Sequence, residues 1–120
     1  MTFPVEVVLK GRDFAVTESA SIPHGEPSTW DDGAVRAMLV EVLRALDRVQ
    51  NPDTWHDRSV MLQGFSWIVE PAEGGVILAI EIPAGAVVAG PFAVGQTELD
   101  AMVGRVLRAE RAGIQRTTVH

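Results

Sequence analysis

Apolar and polar residues alternate from the start of the chain. Phe3, Val5, Val7 and Leu9 fall on one side and Pro4, Glu6, Val8 and Lys10 on the other, the two-residue period of a half-buried strand. Lys10-Gly11-Arg12-Asp13 is a turn signal, and Phe14-Ala15-Val16-Thr17-Glu18 predicts the hairpin partner. Residues 19–28 gather Ser, Pro, Gly, His and Glu without an apolar period and read as a surface loop. The period then lengthens. Val35, Met38, Leu39, Val42, Leu46 and Val49 recur at the spacing of one helical face, with Arg36, Glu41, Arg44, Asp47 and Arg48 largely opposite and Glu41 and Arg44 placed to pair at i,i+3. Thr29-Trp30-Asp31-Asp32 sets a hydroxyl three positions before a carboxylate, a variant capping box. Asn51-Pro52 ends the helix, because proline restricts the residue before it and cannot donate to the preceding turn.

After a polar connector, residues 59–70 predict one long strand with Gly64 in its middle. One face carries Met61, Gln63, Phe65, Trp67 and Val69, the other Val60, Leu62, Gly64, Ser66 and Ile68. Pro71-Ala72-Glu73-Gly74-Gly75 turns the chain, and residues 76–82 return antiparallel. Ile82-Pro83-Ala84-Gly85 suits a type I turn, with residues 86–89 as a third short strand closed by Gly90-Pro91. Thr97-Glu98-Leu99-Asp100 repeats the cap, and Leu99, Met102, Val103, Val106 and Leu107 form a second apolar stripe. Gly113 stands where a left-handed residue would end that helix, leaving residues 114–120 as a frayed tail or a short edge strand. The order ββαββ(β)α predicts an α+β two-layer sandwich, a mainly antiparallel sheet with two helices on one face. A ferredoxin-like βαββαβ arrangement, with the tail as its last strand, is the alternative.

At 120 residues the chain makes one domain, 1–120, and 47% hydrophobic with 22% charged residues is a globular composition. The absence of cysteine removes disulfides, thiolate metal sites and a cysteine nucleophile. Ten basic residues against sixteen acidic ones give a net charge of −6, which opposes phosphate neutralisation and so nucleic-acid binding. No apolar run approaches the ~20 residues of a membrane span. The N-terminus has no basic, then apolar leader, so the cytoplasm is the expected compartment.

Two clusters hold the nitrogen and oxygen ligands: His24, Glu26, Asp31 and Asp32, and the pair His56 and Asp57. Neither has the paired-histidine spacing of a zinc site, and they flank opposite ends of a helix about 30 Å long at ~1.5 Å per residue, so no metal or cofactor is expected. Ser59, Ser66, His56 and Asp57 contain the residue types of a hydrolase, but Gln63-Gly64-Phe65-Ser66-Trp67 lacks the second glycine of a nucleophile elbow, and no catalytic residue is assigned. Gly85, Gly90 and Gly95 precede a helix without the Gly-Lys-Ser/Thr of a phosphate loop. Arg105, Arg108 and Arg111 lie along one flank of the second helix, either complementing its C-terminus or facing an acidic partner. Trp67 belongs to the core; Trp30 and Trp55 are lids over its edges or exposed anchors.

The informative oddity is the central sheet. A sheet covered on one face should be polar on the other, yet Ile77 and Ala79 share with Glu81 the side opposite Val76, Leu78, Ile80 and Ile82. Either the N-terminal hairpin or a second subunit must cover that face. The expectation is therefore a small acidic, non-catalytic protein-interaction module (adaptor, chaperone-like or inhibitory), homodimeric and open to a further protein partner. Met61, Phe65, Trp67, Val69, Arg105 and Arg108 are interface candidates, with Leu62, Ile68 and Ile77 as the alternative apolar set. The competing expectation is a small enzyme or ligand-binding protein with a pocket against the second sheet face, drawing on His24, Trp30, Trp55, His56 and Asp57.

Overall fold

The alternating N-terminal residues form β1 (Thr2–Leu9), with Phe3, Val5, Val7 and Leu9 buried and the residues between them exposed. The computed structural model describes residues 1–53 and 61–118. The remaining elements are β2 (Val16–Ser21), a single 3-10 turn (Pro27–Thr29), α1 (Asp32–Gln50), β3 (Ser66–Ala72), β4 (Gly75–Ile82), β5 (Gly85–Phe92) and α2 (Gln96–Thr118). The five strands form one antiparallel sheet in the order β2-β1-β5-β4-β3. Both helices lie on the same side of it, α1 over β1, β2 and β5 and α2 over β3. This is the expected α+β sandwich of helices on an antiparallel sheet, and the ferredoxin-like alternative gives way to ββαβββα.

Several boundaries differ from those the pattern suggests, each for a physical reason. The hairpin strand begins at Val16 and runs through Ser21, three residues deeper into the polar segment than its composition implies, because Ala20 is buried opposite Phe3. Phe14 is left exposed in the turn, with the Arg12 guanidinium 5.9 Å from its ring centroid. The cap of α1 is Asp31, whose carboxylate accepts from Ala34 N–H at 2.9 Å, while the Thr29 hydroxyl donates back to the Glu26 carbonyl. Strand β3 starts at Ser66, since Gly64 at φ +80° breaks the extended run that the alternation of residues 59–70 suggested. Residues 54–60 lie outside the described residues.

Strand β5 is longer than expected, reaching Phe92 through Gly90-Pro91. Two glycines make the tight joints possible: a Cβ on Gly75 would overlap the Phe92 carbonyl, and one on Gly85 the Val8 carbonyl. Gly113 does not stop α2, which continues to Thr118, so residues 114–118 form neither a frayed tail nor an edge strand. Gln96 rather than Thr97 opens that helix, with Leu99 N–H donating to Gly95 C=O.

Phe92 joins the layers: its ring centroid lies 5.2 Å from those of both Phe3 and Trp30, in edge and tilted geometry. Around it, Leu39, Val42, Leu78, Val87, Leu99 and Val103 are fully buried between helices and sheet. Among the described residues no charged side chain is buried, and no helix is long and apolar enough to cross a membrane.

Candidate functional site

The strand pairings settle which apolar side chains the helices cover. Trp67 and Val69 of β3 point toward α2, in line with Leu78 and Ile80 of β4 and Val87 and Ala89 of β5. Val69 is buried, and its carbonyl accepts from the Gln96 side-chain amide at 3.0 Å. It is therefore core and not an interface residue. Phe65 and Trp67 are half-buried on the same side, and Met61 is 59% exposed in the loop before β3. Leu62, grouped by alternation with Ile68, is instead buried, because the segment it occupies is a loop and not a strand.

The other face of the sheet is open. Its rows follow from the register: Glu6, Val88, Ala79 and Ile68 lie side by side across four strands, flanked by a second row of Val8, Ala86, Glu81 and Ser66, and Ile77 pairs with Glu70. Val8 and Ile68 are 43% and 51% exposed. The hairpin does not wrap over these residues; it extends the sheet beside β5, so no described element covers them. Glu6, Glu70 and Glu81, with Lys10 at the end of β1, rim the apolar area. Shallow grooves of 240–490 Å³ run along one end of this face, beside Glu81.

On the helix side, Arg105 is fixed within the molecule. Its Nε and Nη2 donate to both carboxylate oxygens of Asp32 at 2.9 Å, joining α2 to the first turn of α1. The hydrogen bond from Arg105 lowers the Asp32 pKa below the ordinary aspartate value. Arg36 pairs with Glu110 across the same helix interface, Arg48 with Glu18 on β2 at 3.1 Å, and Arg44 with Glu41 at 3.6 Å as the i,i+3 spacing suggested. Because α2 continues beyond Gly113, Arg105 and Arg108 are not in its last turn, and complementing the helix C-terminus does not account for them. Arg108 lines a recess of about 580 Å³ between α2 and the loop before β3.

Of the expected ligand residues, His24 and Trp30 lie among the described residues. Trp30 is a lid: it is buried, donates its Nε1–H to Gly25 C=O at 2.9 Å and packs on Phe92. His24 is half-buried on the segment after β2, not on the open sheet face; its Nδ1 is buried and has no hydrogen-bond partner among the described residues. Trp55, His56, Asp57 and Ser59 lie outside the described residues. Ser66 sits on the open face opposite Glu81. Among the described residues no three His, Asp or Glu side chains gather as metal ligands.

Val8, Ala86 and Val88 of the open face escape a reading by local composition, because their placement depends on β1 pairing with β5, a contact between distant segments. The alternation of β1 is the available signal, since it sets Val8 opposite Val7 and Leu9. Comparison of the chain with protein-family models, with curated proteins and with solved structures gives no match in any of the three.

Proposed function

We propose that the chain is a non-catalytic interaction module that acts as a homodimer, paired through the open face of its sheet. The observation that carries this reading is the contiguous apolar set Val8, Val88, Ala79, Ile68 and Ile77, which no described element covers. Five strands at ~4.8 Å spacing and about 25 Å length make a face of roughly 600 Å², so two facing copies bury about 1,200 Å², the lower end of specific interfaces. The expected dimer is therefore a weak one, in the micromolar range.

A two-fold axis puts the same patch on both subunits, and the helices stay free on the outside for a further protein partner. An adaptor, chaperone-like or inhibitory role in the cytoplasm fits a small acidic module of this kind. Light scattering from 1 to 200 µM tests the proposal. The expected mass rises from 12.9 kDa toward twice that value; a constant 12.9 kDa over the whole range overturns it.

A further inference from the structure

Gly104, Leu107, Arg108 and Arg111 follow one another at i, i+3, i+4 and i+7, which places them on one face of α2. That face looks onto Phe65 and Trp67, and together these six residues line most of the recess of about 580 Å³. Its size lies within the range of small-molecule sites, ~300–1,000 Å³. Three features set it apart from a packing defect.

Its lining combines two kinds of chemistry, the rings of Phe65 and Trp67 on the β3 side with Leu107 and two guanidinium groups on α2 facing them. Among the described residues the guanidinium groups are also unpaired. Arg36, Arg44, Arg48 and Arg105 each meet a carboxylate, whereas Arg108 and Arg111 have no carboxylate within ion-pair distance among the described residues. Two like charges one turn apart repel each other, and neither lies in the last turn of α2, where the helix dipole would favour it. Finally, Gly104 sits in the helix interior at a cost of about 1 kcal/mol relative to alanine. A Cβ there would meet only the Arg108 guanidinium, at 3.3 Å, so backbone crowding does not demand glycine; its effect is to keep the recess open.

We propose that this recess binds an amphiphilic anion: an aromatic or branched aliphatic body seated on Phe65, Trp67 and Leu107, with a carboxylate or phosphate group held by Arg108 and Arg111. Arginine suits this task because its planar fork meets either oxyanion in bidentate geometry, and its guanidinium also tolerates an aromatic neighbour. The site lies on the helix side and does not depend on how the sheet face is used.

The test uses the full chain with two fluorescent probes of similar shape, anionic 1-anilinonaphthalene-8-sulfonate and uncharged N-phenyl-1-naphthylamine. The anion is expected to bind one per chain. Arg108→Gln with Arg111→Gln should weaken it at least tenfold and leave the neutral probe within twofold. Gly104→Leu, which fills the recess and presses on the Arg108 guanidinium that a Cβ there would meet, should abolish both. Circular dichroism and an unchanged thermal midpoint for the exposed double Arg variant certify its fold. Displacement of the anionic probe by 4-phenylbutyrate or by phenyl phosphate identifies the headgroup, and displacement by neither overturns the proposal. Equal binding by wild type and the double Arg variant also overturns it, as does loss of binding on Ile68→Lys instead, which would put the probe on the sheet face.

Discussion

At the scale of single residues, the fold turns on side chains whose importance depends on what meets them. Phe92 is the clearest: fully buried, it touches Phe3 from one end of the sheet and Trp30 from the segment before α1. Phe92→Ala should cost about 3–5 kcal/mol, the range for truncating a buried aromatic, measured as a lowered midpoint in urea. A loss below about 1 kcal/mol would mean the three rings do not form a shared unit. Asp32 gives a second prediction, on pH. Its hydrogen bond from Arg105 lowers the carboxyl pKa, so the pair's contribution is present above the ordinary aspartate range and disappears as pH falls through the lowered value. Thermal midpoints of wild type and Arg105→Gln should differ near neutrality and converge in acid; a constant difference across that range would place the effect of Arg105 elsewhere. Single residues were also where the sequence was least legible. Asp31 and Thr29 both qualify as caps by type, and only the preceding 3-10 turn, begun at Pro27, decides between them.

Elements were legible where their periodicity is long and undisturbed. The 19 residues of α1 and the alternating β1 emerge close to their observed bounds, because each buries one face and the burial follows the local period. Strand β3 did not, since residues 61–65 alternate as a strand would but bend at Gly64, where the backbone takes a positive φ. The end of α2 was misplaced for the opposite reason: Gly113 is a helix stop only if it adopts a left-handed conformation, and here the helix continues through it. That extra length takes the arginine row away from the helix end. The recess it borders depends on α2 approaching β3, which no local pattern reports. The cap of α1 supplies the prediction at this scale. Asp31→Ala removes the acceptor for Ala34 N–H and should cost about 0.5–2 kcal/mol, whereas Thr29→Ala, an exposed site outside the helix, should stay within about 0.5 kcal/mol. Equal losses from the two changes in chemical denaturation would return the capping role to Thr29.

For the whole molecule, the sheet's two-faced apolar character was visible in residues 59–70 and 76–82, while the extent of the open face needed the full strand order. Its electrostatics lead to a prediction that separates two ways of self-association. Each chain carries −6, and the rim of the open face holds Glu6, Glu70 and Glu81 against Lys10. Pairing two copies through that face brings like charge together at the rim while apolar side chains meet at the centre, so salt should tighten the dimer by screening the repulsion. Association through the arginine row onto an acidic surface would respond in the opposite sense, weakening as salt rises. Sedimentation equilibrium at about 50 mM and about 500 mM sodium chloride, concentrations on either side of the physiological Debye length of ~8 Å, distinguishes them. The expected result is a smaller Kd at the higher salt, abolished association for Ile68→Lys with Val88→Lys, and no change for Arg108→Gln. A dimer that salt dissociates, or one that survives two lysines at the centre of the open face, would show that the chain pairs through some other surface.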